Sequence, residues 1–399
     1  MDAPEELGRR GRRALPLIAG ALTAMVVAGL IYLHPAFPSL PKAPPPPSPS
    51  VISSDSGALY DFLSATTGWA LVLGPPSGPA RSFVYRTTDG AKHWNLQLTT
   101  YSATTGAAMI QFFDSKRGVI AMGNPGQLYR TSDAGTHWNS VPLPPYEANE
   151  IVFSDPSHGW LLASQPDPNL QPNAAGSTGQ LGHFFATTDG GSTWTELAWP
   201  WASVNGFAGV QFRRPGDGWR GTGASEPTVY STVDGGASWQ PHALPLNSQA
   251  NPVPASKSDF AFNTFVNLLP GAGVLAIISY RESVAYSSPT FNAYTSFDGG
   301  TTWRSVEPPP DSTAWDFAYQ DSSHWWAMPP GTLWKSSYAG RSWQRVSQQV
   351  DYWVYRPQII DAKHAWAVLY PLNGKPGTGL AMTSDGGVHW TQVNTPPAS

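Results

Sequence analysis

The sequence predicts an all-β protein, a seven-bladed β-propeller of four-stranded blades, because two patterns recur along most of its length. The first pattern is an octapeptide, clearest at residues 187–194 (TTDGGSTW), with a hydroxyl residue first, Asp third, two small residues next and Trp last. Its closing tryptophans span 296 residues from first to last, a mean period of about 49 residues over six intervals, which is typical of propellers. The seven copies close at Trp94, Trp138, Trp194, Trp239, Trp303, Trp343 and Trp390.

The second pattern precedes the octapeptide in each unit and is clearest at residues 151–160 (IVFSDPSHGW). It predicts a strand A that ends near the aromatic residue, a turn, and a strand B that starts at Gly-Trp. Strand C then leads into the octapeptide, which we expect to form a hairpin turn, and strand D follows the closing Trp. Four strands in each of seven units predict a propeller, in which every blade covers its neighbour and no wide sheet edge stays exposed.

The composition agrees with many short strands joined by tight turns. Charged residues make up 13% of the chain, whereas Gly and Pro supply 39 and 40 residues. There is no cysteine, which excludes disulfides, thiolate metal sites and a cysteine nucleophile. From residue 51 onward 18 basic residues face 24 acidic ones, so a nucleic-acid partner is not expected.

The N-terminal part predicts a membrane anchor. Residues 14–33 are 20 predominantly apolar residues without a charge, about the length that spans a ~30 Å hydrocarbon core as a helix. Four arginines in the basic segment 1–13 favour a cytoplasmic N-terminus, followed by a Pro-rich linker at 34–50 and an extracytoplasmic propeller at 51–399. We therefore expect a single-pass protein of the cell membrane with an uncleaved signal anchor. The alternative is a cleaved signal peptide.

The octapeptide resembles the Asp box of the Asp-box (BNR-repeat) propellers, a group that includes sialidases, sortilin-type receptors and photosystem II assembly and stability factors. The combination with the Phe-x-Asp and Gly-Trp pattern is most similar to the last group and its bacterial relatives. The resemblance covers nearly all of the chain after residue 51. It implies the propeller fold and an assembly or scaffold role in the cell envelope.

Six copies of the octapeptide carry the Asp, and we interpret these carboxylates as structural. An Asp in a tight turn accepts hydrogen bonds from nearby backbone N–H groups, and one Asp per blade is spread around a ring, so the set does not converge on one substrate. Six of the nine histidines also recur at fixed turn positions, and no metal spacing or cofactor motif is present. The structural aspartates are Asp89, Asp133, Asp189, Asp234, Asp298 and Asp385; the seventh copy has Tyr338 instead.

A sialidase-like glycoside hydrolase is the catalytic alternative. Family resemblance would require an arginine triad and a Tyr–Glu pair, with an aromatic-Arg-Ile-Pro motif before the first Asp box. The only similar segment, 212–215 (FRRP), lies in mid-chain and has Arg in place of Ile. A sortilin-like receptor is a third class, but it predicts ten blades and a cysteine-rich module.

The aromatic and charged residues that the repeat does not explain are the candidate binding residues. They fall in the D–A and B–C connections, which share the propeller face opposite the octapeptide turns, and Trp, Tyr and Arg are enriched in interface hot spots. The alternative is a structural role, in which the tryptophans fill gaps between blades. We expect a non-catalytic scaffold that binds an unknown protein or glycan there through Trp199, Trp201, Tyr352, Trp353, Tyr355, Arg356, Arg281, Glu282 and Tyr286.

Overall fold

The computed structural model divides the chain into two compact units, Met1–Pro44 and Pro45–Ser399, and only the second contains described residues. The predicted segments 1–13, 14–33 and 34–50 lie outside the described part of the chain. Within that part, no helix is long and apolar enough to span a membrane. The described ranges are 52–53, 57–74, 81–101, 107–122, 126–166, 180–199, 209–224, 226–245, 262–280, 290–310, 317–348, 351–372 and 379–397.

The described residues form seven antiparallel sheets, each with four consecutive strands A to D, and so confirm the predicted seven-bladed all-β propeller. Strand A occupies one end of the four-strand order and contacts strand A of a neighbouring blade, so the A strands surround the central axis. The strands are, in blade 1, Ala58–Phe62, Gly68–Val72, Arg81–Thr87 and Asn95–Tyr101; in blade 2, Met109–Phe112, Gly118–Met122, Gln127–Thr131 and Asn139–Pro142; in blade 3, Glu147–Phe153, Gly159–Pro166, Gln180–Thr187 and Thr195–Leu197; in blade 4, Val210–Arg214, Asp217–Arg220, Thr228–Thr232 and Gln240–Ala243; in blade 5, Phe262–Leu268, Val274–Tyr280, Thr290–Ser296 and Arg304–Val306; in blade 6, Phe317–Tyr319, Trp325–Ala327, Thr332–Ser336 and Gln344–Gln348; and in blade 7, Tyr352–Ile359, Ala365–Pro371, Gly379–Thr383 and Thr391–Gln392.

Two short strands extend this pattern. Ile52–Ser53 pairs with strand A of blade 1, and Gly223–Ala224 leaves the B–C connection of blade 4 to pair with strand A of blade 5. The second crossing brings Gly221 against the backbone of Thr264, closer than any Cβ would allow. Glycine at position 221 therefore permits a short strand of blade 4 to pair with the sheet of blade 5.

Where both are aromatic, the two key positions of the second pattern pack against each other across a blade junction. Trp69 of blade 1 stacks on Phe112 of blade 2 with ring centroids 3.6 Å apart, and Trp160 of blade 3 stacks on Phe212 of blade 4 at 3.5 Å. The glycine before each Trp faces the Phe of its own blade: a Cβ on Gly159 would lie 2.5 Å from the Phe153 ring. The Gly-Trp pair thus makes room for one aromatic ring and supplies the stacking surface for another.

The octapeptides form the hairpin turns between strands C and D, as predicted. In blade 1 the Asp89 carboxylate accepts hydrogen bonds from the Thr87 hydroxyl and the His93 N–H, both 3.0 Å long. The N–H donor lies four residues beyond the Asp, within the same turn, as the structural interpretation of these carboxylates requires. The two small residues, here Gly90 and Ala91, take positive φ angles of 74° and 63°, which explains the preference for glycine at these positions.

The ring closes between blades 7 and 1 through side chains, because each four-strand blade comes from one continuous stretch of chain. Trp366 stacks on Phe62 at 3.8 Å, and its indole N–H donates to the Ser64 carbonyl at 3.1 Å. Gln358 donates to the Phe62 carbonyl and accepts from the Phe62 N–H, each at 2.9 Å. This junction therefore uses the same aromatic stack as the junctions of blades 1 and 2 and of blades 3 and 4, and the Gln358 amide adds two hydrogen bonds.

Candidate functional site

The candidate site is a cavity of about 490 Å³ on the propeller axis. Residues of strand A, or directly beside it, from all seven blades line its wall, and the wall mixes aliphatic side chains with amides and two carboxylic acids. Its volume lies within the ordinary range for ligand pockets. The polar residues of the wall are Asp61, Gln111, Asn149, Glu150, Gln211, Asn267 and Gln358.

Several of these polar side chains connect strand A of one blade to strand A of the next. The Asp61 carboxylate accepts from the Phe112 N–H, Gln111 donates to the Phe153 carbonyl, and Gln211 accepts from the Leu268 N–H. Gln358 repeats the arrangement across the closing junction. Buried backbone groups need such partners, so these contacts stabilise the central ring and position its wall.

Asp61 is the carboxylic acid at the closing junction, where it contacts two neighbouring blades. Only 7% of its surface is exposed, and it accepts hydrogen bonds from both the Phe112 N–H and the Gln358 amide, the latter at 3.1 Å. Burial raises its pKa to about 6, although the two hydrogen bonds act in the opposite direction.

Glu150 is the second carboxylic acid and lies between blades 3 and 4. Its carboxylate accepts from the Val210 N–H at 3.0 Å. The residue is partly accessible from the cavity, but its carboxyl group is enclosed by protein, and this burial raises its pKa to about 7. The nearby Arg220 guanidinium acts to lower the pKa of Glu150. This guanidinium lies 4.1 Å from the centre of the Trp199 ring, and burial lowers the pKa of Arg220 to about 9. The cavity wall thus contains an acid that titrates near neutral pH.

The four predicted binding residues whose side chains the structure describes do not line this cavity. Trp199 is half-buried, 5.2 Å from the Phe184 ring and against Arg220, at the junction of blades 3 and 4. Tyr352, Trp353 and Tyr355 lie together on strand A of blade 7, where the Trp353 indole donates to the Met328 carbonyl of blade 6 at 3.2 Å.

The contacts of Trp199 and Trp353 match the alternative in which tryptophans fill gaps between blades. A binding role for the four described residues stays a prediction. The side chains of the other five predicted binding residues lie outside the described structure, so their prediction is not tested. The backbone of Arg356 belongs to the same blade 7 strand, but its side chain is outside the described structure, as are Trp201, Arg281, Glu282 and Tyr286.

The octapeptide carboxylates are each engaged within their own turns. In the described structure, no group of three or more His, Asp or Glu side chains could hold a metal ion. His93, His137 and His389 each contact the Asp of their own octapeptide, with Nδ1–Oδ2 distances of 2.6 to 2.7 Å. Hydrogen bonds lower the pKa of Asp89, Asp133, Asp189, Asp234 and Asp298 to about 2. At Asp385 partial burial acts to raise the pKa, but the hydrogen bonds from His389 and Thr383 together outweigh it and lower the pKa.

Sequence reasoning missed Asp61 and Glu150 as site residues. Asp61 interrupts the apolar strand A of blade 1, and that interruption was the available signal, whereas Glu150 lies in the polar first half of strand A of blade 3 and had no such signal. Their partners, however, are distant in sequence: Phe112 is 51 residues from Asp61, and Val210 is 60 residues from Glu150.

The geometry defines the class of protein, a seven-bladed β-propeller with a closed ring and an axial cavity. No family model matches the chain, and no curated protein matches it. Solved structures do match. One is YCF48 bound to a D1 peptide, with 15% identity over 87% of this chain and 98% of that chain, at a TM-score of 0.51.

Two further matches are YCF48 from Cyanidioschyzon merolae and an uncomplexed acylaminoacyl peptidase from Pyrococcus horikoshii. The former has 16% identity over 86% of this chain and 98% of that chain, at a TM-score of 0.49. The latter has 10% identity over 87% of this chain and 52% of that chain, at a TM-score of 0.52. At these identities the likeness shows the fold alone, and propellers support unrelated functions.

Proposed function

We propose that this protein is a membrane-anchored Asp-box propeller that acts outside the cytoplasm as a non-catalytic scaffold for a protein partner. An assembly role in the cell envelope fits this proposal. The repeated octapeptides and their turn geometry support the Asp-box assignment. The apolar segment 14–33, preceded by arginines, supports the anchor and its orientation.

The observation that carries the binding function is the axial cavity. All seven blades line one cavity of about 490 Å³, and its wall mixes apolar side chains with polar ones. The solved complex of YCF48 with a D1 peptide is a peptide complex of a protein with a similar fold. We infer that a segment of a partner protein enters this cavity.

A sialidase-like reaction needs arginines for the substrate carboxylate and a Tyr–Glu pair at one point. The described residues of the cavity wall include no arginine, and their only tyrosine and glutamate, Tyr319 and Glu150, belong to blades 6 and 3. This wall favours binding over hydrolysis.

Site-specific photo-cross-linking in native membranes tests the binding site. A photoreactive amino acid at Asn267, on the cavity wall, should give a discrete cross-linked protein product from the full-length chain. The matched control is Val346, which is exposed on strand D of blade 6 and should give no such product. Equal products at both positions, a glycan adduct alone, or turnover of a fluorogenic sialoside would contradict the proposal.

The absence of native cysteine makes the orientation testable with single-cysteine variants. Val233 is 85% exposed, so a Val233→Cys variant should react with a membrane-impermeant maleimide in intact spheroplasts. An Ala3→Cys variant should react only after permeabilisation. The reverse labelling pattern would contradict the orientation.

A further inference from the structure

Blade 6 keeps the octapeptide turn without its Asp. Tyr338 stands at the third position, yet the Ser336 hydroxyl still accepts from the Tyr338 and Gly340 N–H groups, at 3.1 and 2.9 Å. Ala339 and Gly340 take positive φ angles of 53° and 78°, as the small residues of the other turns do. The backbone of the turn therefore has its usual shape, although the carboxylate is missing.

An intact turn shows what the carboxylate contributes. In blade 3 one Asp189 oxygen accepts from the Thr187 hydroxyl and the Thr193 N–H, both at 2.9 Å. The other oxygen accepts from the Thr193 hydroxyl at 2.7 Å. Three donors from two residues thus surround one carboxylate in a bidentate arrangement.

The same three donors are present in blade 6, on Ser336 and Ser342. Across the described ranges, no acceptor is recorded for the Ser336 hydroxyl proton, the Ser342 N–H or the Ser342 hydroxyl. Tyr338 is 67% exposed, so most of its side chain is in contact with solvent. The turn consequently presents a preformed donor set that fits one carboxylate.

A cavity of about 510 Å³ lies beside these donors. Ser336 and Ser342 border it, and so do Lys335, His324 and the indoles of Trp326 and Trp343. The Lys335 ammonium lies 4.3 Å from the centre of the Trp326 ring. The cavity gives a ligand larger than the carboxylate itself room to extend along an aromatic surface.

The local charge also favours an anion. The blade 6 octapeptide contains Arg341 and no acid, whereas the other six each contain an Asp. Two acids of the neighbouring turns are already engaged: Asp321 accepts from the Ser323 and His324 N–H groups, and Asp385 accepts from the Thr383 hydroxyl at 2.9 Å. An external carboxylate therefore faces a turn that carries Arg341 and has no acid of its own.

We propose that the blade 6 turn is a carboxylate-binding site for a free small acid or for an acidic side chain of a peptide. One ligand oxygen would accept from the Ser336 hydroxyl and the Ser342 N–H, and the other from the Ser342 hydroxyl. The site lies among the C–D turns and does not depend on the proposed function of the axial cavity.

Saturation-transfer NMR on the full-length protein in detergent tests this site with acetate, N-acetyl-Gly-Asp-Gly-amide and its Asn counterpart. Tyr338→Asp should supply the carboxylate internally and lower the acetate signal at least about tenfold, because a tethered group acts at a high effective concentration. Tyr338→Phe, the matched control, should keep the wild-type signal. The Tyr338→Asp variant is expected to melt no lower than the wild type, so unfolding would not explain its loss of binding.

The outcomes separate the two ligand sources. Binding of acetate without the Asp peptide identifies a small acid, and stronger binding of the Asp peptide than of acetate identifies an acidic side chain. Equal signals in the wild type and in Tyr338→Asp, or equal signals from the Asp and Asn peptides without acetate binding, would overturn the proposal. Asp189→Ala offers a converse test, since it should create a second acetate-binding turn.

Discussion

Glu150 couples protonation of the axial cavity to stability. Its carboxyl group is enclosed near the Arg220 guanidinium and accepts one backbone hydrogen bond. Burial disfavours the charged form more strongly than these two contacts favour it, so the proton is retained to higher pH than in the unfolded chain.

We expect the free energy of unfolding to fall as pH rises from 4.5 to about 7, owing to Glu150. The pKa of this group is about 7 in the folded state and 4.5 unperturbed, so the folded state binds the extra proton in that window. The stability contribution is complete below pH 4.5 and lost above about pH 7. The slope is up to about 1.4 kcal/mol per pH unit, reduced by water in the cavity.

Chemical denaturation at several pH values measures this slope. The control is Glu150→Gln, whose amide oxygen can still accept from the Val210 N–H but cannot titrate. Its stability should change less between pH 4.5 and 7, while Asp61 and the histidines contribute equally to both proteins. Identical slopes would contradict this prediction, because they would show that folding leaves the pKa of Glu150 unchanged.

At the scale of a strand or turn, the repeated Gly-aromatic contact sets the spacing between strands A and B. The Phe153 ring lies against Gly159 of the neighbouring strand. Any side chain at that glycine would displace the ring from the blade junction. The junction is closely packed, so the displaced ring would lose contacts that nothing else restores.

The substitution Gly159→Ala is expected to lower the free energy of unfolding by about 1–3 kcal/mol, the usual cost of overpacking. Its Cβ would lie 2.5 Å from the Phe153 ring. Gly379→Ala is a matched control in a strand, because its nearest neighbour is a side-chain atom of Gln392 at 3.4 Å. Urea denaturation should separate the two variants, and equal losses would contradict a packing role specific to Gly159.

The sequence repeat predicted the blades and the turns because both are local: Gly-Trp starts a strand and the octapeptide ends one. Contacts between blades were harder to predict. The strand that Gly223–Ala224 lends to blade 5 needs a glycine at 221 that meets Thr264, and nothing local to either residue indicates their contact. The aromatic residues that the repeat does not explain predicted a binding site in the loops, whereas the described cavity is lined by residues of strand A. The sequence could not predict this cavity, because residues from seven separate parts of the chain form it.

Taken as a whole, the ring has six junctions that the chain crosses and one that it does not. Blades 7 and 1 are held by the Trp366–Phe62 stack and by Gln358, which is only 5% exposed. Neighbouring blades elsewhere are also linked by a covalent connection, so this junction depends most on its side chains.

We expect Gln358→Ala to destabilise the protein by about 2–4 kcal/mol, since it leaves the buried Phe62 N–H and carbonyl without their partners. Gln111→Ala, the control at an internal junction, removes one hydrogen bond of 3.2 Å and should cost about 1 kcal/mol. Hydrogen exchange should accelerate in blades 1 and 7 of the first variant and remain local in the second. Equal exchange profiles would contradict a special role for the closing junction.

The closing junction also imposes an order on biosynthesis. Blade 1 is translated first, but Phe62 cannot meet Trp366 until most of blade 7 has been made. During that interval the nascent chain carries an apolar blade face, including Tyr60 and Phe62, that only the last blade can cover. A ribosome-bound chain that stops before residue 351 should therefore recruit a holdase chaperone, which the completed propeller releases.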